Sequence, residues 1–113
     1  MNRFVLYRWI LWFTSIPLAI LMYFAFMSGY GLVKTSVVKQ VTLGLLDYHT
    51  SMVIHTSQLF RLTLFILLIL HFISGFSLMS LRLRNRILRK LAEILVWFIA
   101  VAVTFQVIVI EFY

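Results

Sequence analysis

Cysteine is absent from this chain, which excludes a disulfide framework, a self-held iron–sulfur cluster and a thiolate haem ligand. Acidic residues number three against ten lysines and arginines, and charged residues of either sign make up only 12%. A soluble domain carries about twice that share, close to 25%. Proline occurs once and glycine four times, so no Pro- or Gly-rich linker divides the chain. No internal repeat or low-complexity tract is present. What fills the space is apolar: 64% of the 113 residues are hydrophobic, and the mean hydropathy is +1.07. This composition is that of an integral membrane protein.

A crossing takes about 20 residues, so the length allows three or four spans with short connections and no separate soluble domain. Three apolar runs stand out, over about residues 9–33, 60–81 and 91–110. They predict an all-α bundle of three transmembrane helices in one membrane-anchor domain covering residues 1–113. Pro17 interrupts the first run and frees the carbonyl of Phe13; Thr14 and Ser15 are close enough to compensate, so a mild kink is expected rather than a break. The segment 35–60 reads as an outer loop with a helical lead-in to the second span.

The formal charge of +7 does not point to nucleic acid, because no polar face is left to carry a phosphate-tracking groove. The cations instead mark topology. Arg3, Arg8, Arg82, Arg84, Arg86, Arg89 and Lys90 lie on one side of a three-span chain, while Lys34 and Lys39 lie on the other with Asp47. The positive-inside rule then puts the N-terminus in the cytoplasm and the C-terminus outside. The expected location is the inner (cytoplasmic) membrane, crossed several times.

His71 is the central residue of the second apolar run. Counting from Leu62 to Leu81 at about 1.5 Å per residue places it about 15 Å from either surface, at the bilayer midplane. An ionisable side chain there is costly and faces a partner. Three partners fit: a neighbouring hydroxyl or carbonyl, a proton pathway, or haem iron. Gly75 follows one turn later and about 40° around the helix, so one face combines a ligand with a missing side chain that could admit a flat macrocycle. A glycine there equally allows close helix packing.

His55 cannot reach the same iron. Along a continuous helix it would lie about 24 Å from His71 and be rotated by about 160°. His49 and His55 therefore read as interfacial imidazoles, and a six-coordinate iron on His71 must draw its opposite ligand from another chain. Glu93 is expected to pair with Arg89 at i−4. Thr104 and Gln106 are candidate interhelical hydrogen-bond formers. Arg61 can snorkel to the interface, and Trp9, Trp12, Tyr30, Phe112 and Tyr113 read as interfacial anchors.

Taken in order, "LYRWILWF" with Arg8 at the start of the first helix, "HFISG" in the second and the basic link "LRLRNRILRK" into an aliphatic third helix resemble the smaller membrane anchor of succinate dehydrogenase. The resemblance covers nearly the whole chain in plan. It implies a complex in which a flavoprotein and an iron–sulfur subunit oxidise succinate and pass electrons to quinone beside the anchor. By position, His71 would supply one axial ligand to a b-type haem, and a second membrane anchor subunit the other. Arg8 and the cluster beginning at Arg82 would face the quinone, the haem propionates or the iron–sulfur subunit. Where that family often carries Asp-Tyr further along from the histidine, this chain has Arg82-Leu83, so another group must contact the quinone.

Two other classes stand beside this one: a cytochrome b-like subunit of another reductase or a hydrogenase, and a cofactor-free accessory subunit of a larger membrane complex. A small multidrug transporter would want four spans and a carboxylate at mid-membrane, whereas Glu93 lies near a span end. No Ser-His-Asp, metal-hydrolase or phosphate-loop arrangement is present. The chain is expected to hold and tune a cofactor while soluble partners carry out substrate chemistry.

Overall fold

The computed structural model describes residues 2–113. Five helices follow in order: α1 (Arg3–Val33), α2 (Thr35–Val41), α3 (Tyr48–Thr56), α4 (Gln58–Leu81) and α5 (Arg86–Phe112), with no strand among the described residues. Helices α1, α4 and α5 are long and apolar enough to cross a membrane. At 1.5 Å per residue they measure about 46, 36 and 40 Å, each longer than the ~30 Å hydrocarbon layer. The chain is thus an all-helical, multi-pass membrane protein. Helices are what such a sequence must form, because lipid offers no partner to an unpaired backbone N–H or C=O.

α1 continues unbroken through Pro17. The two hydroxyls expected to compensate act elsewhere: Thr14 Oγ1 donates to the Ile10 carbonyl at 2.8 Å and Ser15 Oγ to that of Leu11 at 2.6 Å. Neither serves the carbonyl of Phe13. The ends of the spans also lie further out than hydropathy placed them. α1 begins at Arg3 and α5 at Arg86, because Arg and Lys stems extend a helix beyond the hydrocarbon while their heads reach water. Asn85 caps α5, its Oδ1 accepting from Ile87 N–H at 2.9 Å.

Between α1 and α4 the chain is mostly helical rather than a loop. α2 ends where Leu43 and Gly44 turn left-handed (φ 56° and 83°), and the Gly44 N–H returns to the Lys39 carbonyl at 2.7 Å. Asp47 then caps α3, accepting from Thr50 N–H at 2.8 Å. Ser57, extended at φ −66° and ψ 122°, separates α3 from α4. The continuous helix assumed between His55 and His71 is therefore absent.

The chain divides into two compact units, residues up to Ser15 with Leu67–Tyr113, and Ile16–Ile66. In the first, the buried side chains are Tyr7 and Thr14 on α1, Ser74, Ser77 and Ser80 on α4, and Val96 and Ala100 on α5. Serines at i, i+3 and i+6 keep α4 slim on one face, which suits helix packing inside lipid. Ser74 and Ser80 satisfy their hydroxyls on the carbonyls of Leu70 and Ser77. In the second unit the core is Leu18, Ser28, Val38, Leu46 and Ser51. A Cβ on Gly31 would overlap the Ser51 side chain, so the glycine is what lets α3 approach α1.

Candidate functional site

His71 falls on α4 opposite Thr14 of α1, both within the first unit, with Nδ1 3.0 Å from Thr14 Oγ1. Thr14 is buried and His71 half-buried. A hydroxyl has one hydrogen, and Thr14 directs it along its shorter contact to the Ile10 carbonyl, the usual back-bond of a helical threonine. The contact engages Nδ1 and orients the ring. A metal-binding imidazole is commonly held in the same way, by an outer hydrogen bond on its second nitrogen.

Gly75 meets α1 as well. A Cβ built on it would lie 3.5 Å from Leu11 Cδ1, an ordinary contact. The surface of α4 at Gly75 is therefore covered by Leu11, and the glycine supports close approach of α1 and α4.

Arg8 lies six residues before Thr14, about 9 Å along α1, and Arg82 eleven after His71, about 16 Å along the α4 direction. Both are exposed. Neither approaches the ring; they stand at the end of this unit where α1 starts, α4 stops and α5 begins. Arg8 borders a cavity of about 320 Å³ with Phe4, Val5, Trp9 and Trp12. There Trp9 stacks on Phe13 at 5.5 Å.

The same end carries Glu93, paired not with Arg89 but with Arg3 at 2.6 Å. Interhelical geometry overrides the i−4 neighbour here. Arg89 Nε is buried without a hydrogen-bond partner among the described residues. Thr104 likewise differs from expectation, its hydroxyl turning back to the Ala100 carbonyl at 2.7 Å instead of crossing to another helix, and Gln106 is exposed.

Two partners went unread in the sequence. Thr14 reads there as relief for Pro17, and Ser28 is not singled out. Ser28 in fact sits 3.2 Å from Nδ1 of His55, within the second unit. The available signal was the pairing itself: His55 on α3 and His71 on α4 each meet one buried hydroxyl on α1. His49 is exposed, as expected of an interfacial imidazole.

Comparison with protein-family models, with curated proteins and with solved structures finds no match. The chemistry of the site therefore rests on its own residues. Among those described, no three His, Cys, Asp or Glu side chains gather in a metal-holding group. An iron on His71 would take one ligand from this chain. Fit to a haem is tested by the donor: an imidazole held through one ring nitrogen by a neighbouring hydroxyl would suit as a haem ligand from this chain.

Proposed function

We propose that this chain is a membrane-anchor subunit of a respiratory oxidoreductase of the succinate:quinone type. In this reading His71 would hold a b-type haem together with a residue of a second anchor subunit. The observation that supports it is the Thr14–His71 pair. It is the feature that holds a costly mid-membrane imidazole in one orientation, as a ligand would need.

When bound, the haem supplies one-electron transfer. Everything else is the work of this chain. Thr14 bonds Nδ1 and fixes the plane of the ring. Gly75 and the serines of α4 bring the helices close enough for that hydrogen bond to form. Arg8 and Arg82 put fixed positive charge at one end of the unit, available to propionates, to a quinone oxygen or to the acidic surface of an iron–sulfur subunit. With Asp-Tyr replaced by Arg82-Leu83, Arg8 beside its aromatic cavity is the better-built contact for a quinone ring. The soluble flavoprotein and iron–sulfur partners carry out substrate chemistry on the basic, cytoplasmic side.

Reduced-minus-oxidised absorption spectra of the native complex test the reading. A b-type band lost in His71→Ala and kept in His49→Ala is the expected result, followed by succinate-dependent quinone reduction. A folded complex with no such band leaves His71 as an interhelical tie and the chain as an accessory subunit. A haem-bearing complex that ignores succinate transfers the anchor to another reductase.

A further inference from the structure

One polar side chain of α5 faces outward at membrane depth. Gln106 is exposed, and every other exposed position from Leu91 to Phe112 carries an aliphatic or aromatic side chain. It borders an open hollow of about 400 Å³ with Phe105, Val109 and Ile110, all on α5. No described residue hydrogen-bonds its carboxamide. The interhelical bond that a glutamine in this span predicts is not made within the chain.

Its position makes the carboxamide costly. In the apolar run 91–110, Gln106 lies four residues before the end, about 6 Å inside the hydrocarbon. A helical Cα–Cβ bond tilts toward the helix N-terminus, which in α5 is the end at Arg86. The side chain therefore leans toward the membrane centre and away from the nearer surface. Snorkelling, the usual escape of a long side chain near a span end, runs the wrong way here. A partner across a helix interface is the remaining way to satisfy the amide in lipid.

We propose that this face of α5 binds the same face of a second copy of the chain, with the two Gln106 carboxamides hydrogen-bonded to each other. Copies of one membrane protein share a topology, so the two-fold axis of a closed dimer runs along the membrane normal. Their α5 helices then lie parallel, and each residue meets its own counterpart at equal depth. A carboxamide carries both donor and acceptor, so it pairs with itself through two N–H···O=C bonds. The flanking pattern agrees. Leu88, Leu95, Ile99, Ala102, Gln106 and Val109 follow at intervals of 7, 4, 3, 4 and 3, a heptad register with Ile99 and Gln106 at a and the others at d. All are exposed except Ala102, which is half-buried, and whose small side chain lets two backbones approach one turn from Gln106. A β-branched residue at a with leucine at d favours two parallel strands, and a single polar a residue fixes register and partner number. Val96 and Ala100, the buried side of α5, lie outside this seam. His71 takes no part in it, so the inference stands apart from any haem.

The experiment uses the full chain in proteoliposomes. Because the sequence has no cysteine, single cysteines report contacts without background. Ala102→Cys and Val109→Cys should cross-link between copies under mild oxidation. Val101→Cys and Ile108→Cys, exposed at nearly the same depths but off the seam, should not. Energy transfer between labelled copies, followed as the chain is diluted in lipid, gives the dimer dissociation constant. Gln106→Leu should raise it about tenfold, the contribution of two interhelical hydrogen bonds, and Gln106→Asn should recover most of the loss. Leucine facing lipid does not endanger folding, so the comparison is decisive. A chain that is monomeric at every density overturns the proposal and leaves the face to lipid or to a different polypeptide. Equal cross-linking on and off the seam, or a dissociation constant unmoved by Gln106→Leu, overturns it as well.

Discussion

Thr14 Oγ1 and His71 Nδ1 lie 3.0 Å apart across 57 positions of sequence. The contact ties α1 to α4 at mid-membrane and orients the ring. It also answers what keeps an imidazole where lipid has nothing to give it. The chain supplies half of the answer from its own first helix.

Replacing Thr14 by Val keeps the shape and removes the hydroxyl that meets His71 Nδ1. Interhelical hydrogen bonds in membranes average about 0.6 kcal/mol with a maximum near 1.7, so unfolding in bicelles should show a loss in that range. Thr14→Ser should restore most of it. If His71 holds a haem as proposed, the same Val variant should retain it while shifting its potential, because the outer hydrogen bond tunes the ligand.

Gly31→Ala should be costly. Its Cβ would stand 2.8 Å from Ser51 Cβ and closer still to Ser51 Oγ, and overpacking of this kind costs about 1–3 kcal/mol. Ser51→Ala by itself should be near neutral or stabilising, since Ser51 Oγ is buried without a hydrogen-bond partner. Adding Ser51→Gly to Gly31→Ala should recover most of the loss, measured by the same bicelle unfolding.

The Arg3–Glu93 pair joins α1 to α5 at 2.6 Å, but its side chains are 63% and 21% exposed. Arg3→Gln should therefore cost only about 0.2–1 kcal/mol. The difference from the native sequence should shrink as salt is raised. A loss that ignores salt would show packing of the Arg3 stem, not its charge, to be responsible.

Asp47 carries the pH dependence of the connecting segment. The backbone N–H of Thr50, which donates to its carboxylate, holds Asp47 below the usual carboxylate value, with smaller help from the charge of His49 and Lys39. Because the folded pKa is the lower one, the cap's contribution is fully present above the unfolded value of about 3.9. It is lost as pH falls through the depressed folded value. Hydrogen exchange at Thr50 and Ser51 should be flat at neutral pH and accelerate in acid beyond the intrinsic trend. Asp47→Asn should keep the cap and abolish that extra acid sensitivity.

Much of the helix plan was legible because lipid imposes it. Runs such as "LTLFILLILHFISGFSLMSL" have no alternative to a helix, and His71 could be placed at the middle of one by counting. Segment 35–60 was less legible. Its helices α2 and α3 depend on local events, the left-handed turn at Leu43 and Gly44 and the Asp47 cap, that hydropathy does not register. Glu93 shows the same limit at a single residue. Sequence offers Arg89 as its neighbour, whereas the packing of α1 on α5 offers Arg3.

By itself the sequence determined that this protein lives in a membrane, that three segments cross it, and that one histidine sits at mid-depth. Those facts follow from length and from the cost of polar groups in hydrocarbon, which depend on composition along the chain alone. Only the tertiary structure decided which nitrogen of His71 meets Thr14, that His55 is held by Ser28 beside a cavity, and that Gly31 rather than Gly75 marks the tightest approach. Each of these depends on which face of α1 meets which face of α3 or α4, and an apolar surface nearly uniform around the helix leaves that rotation to packing.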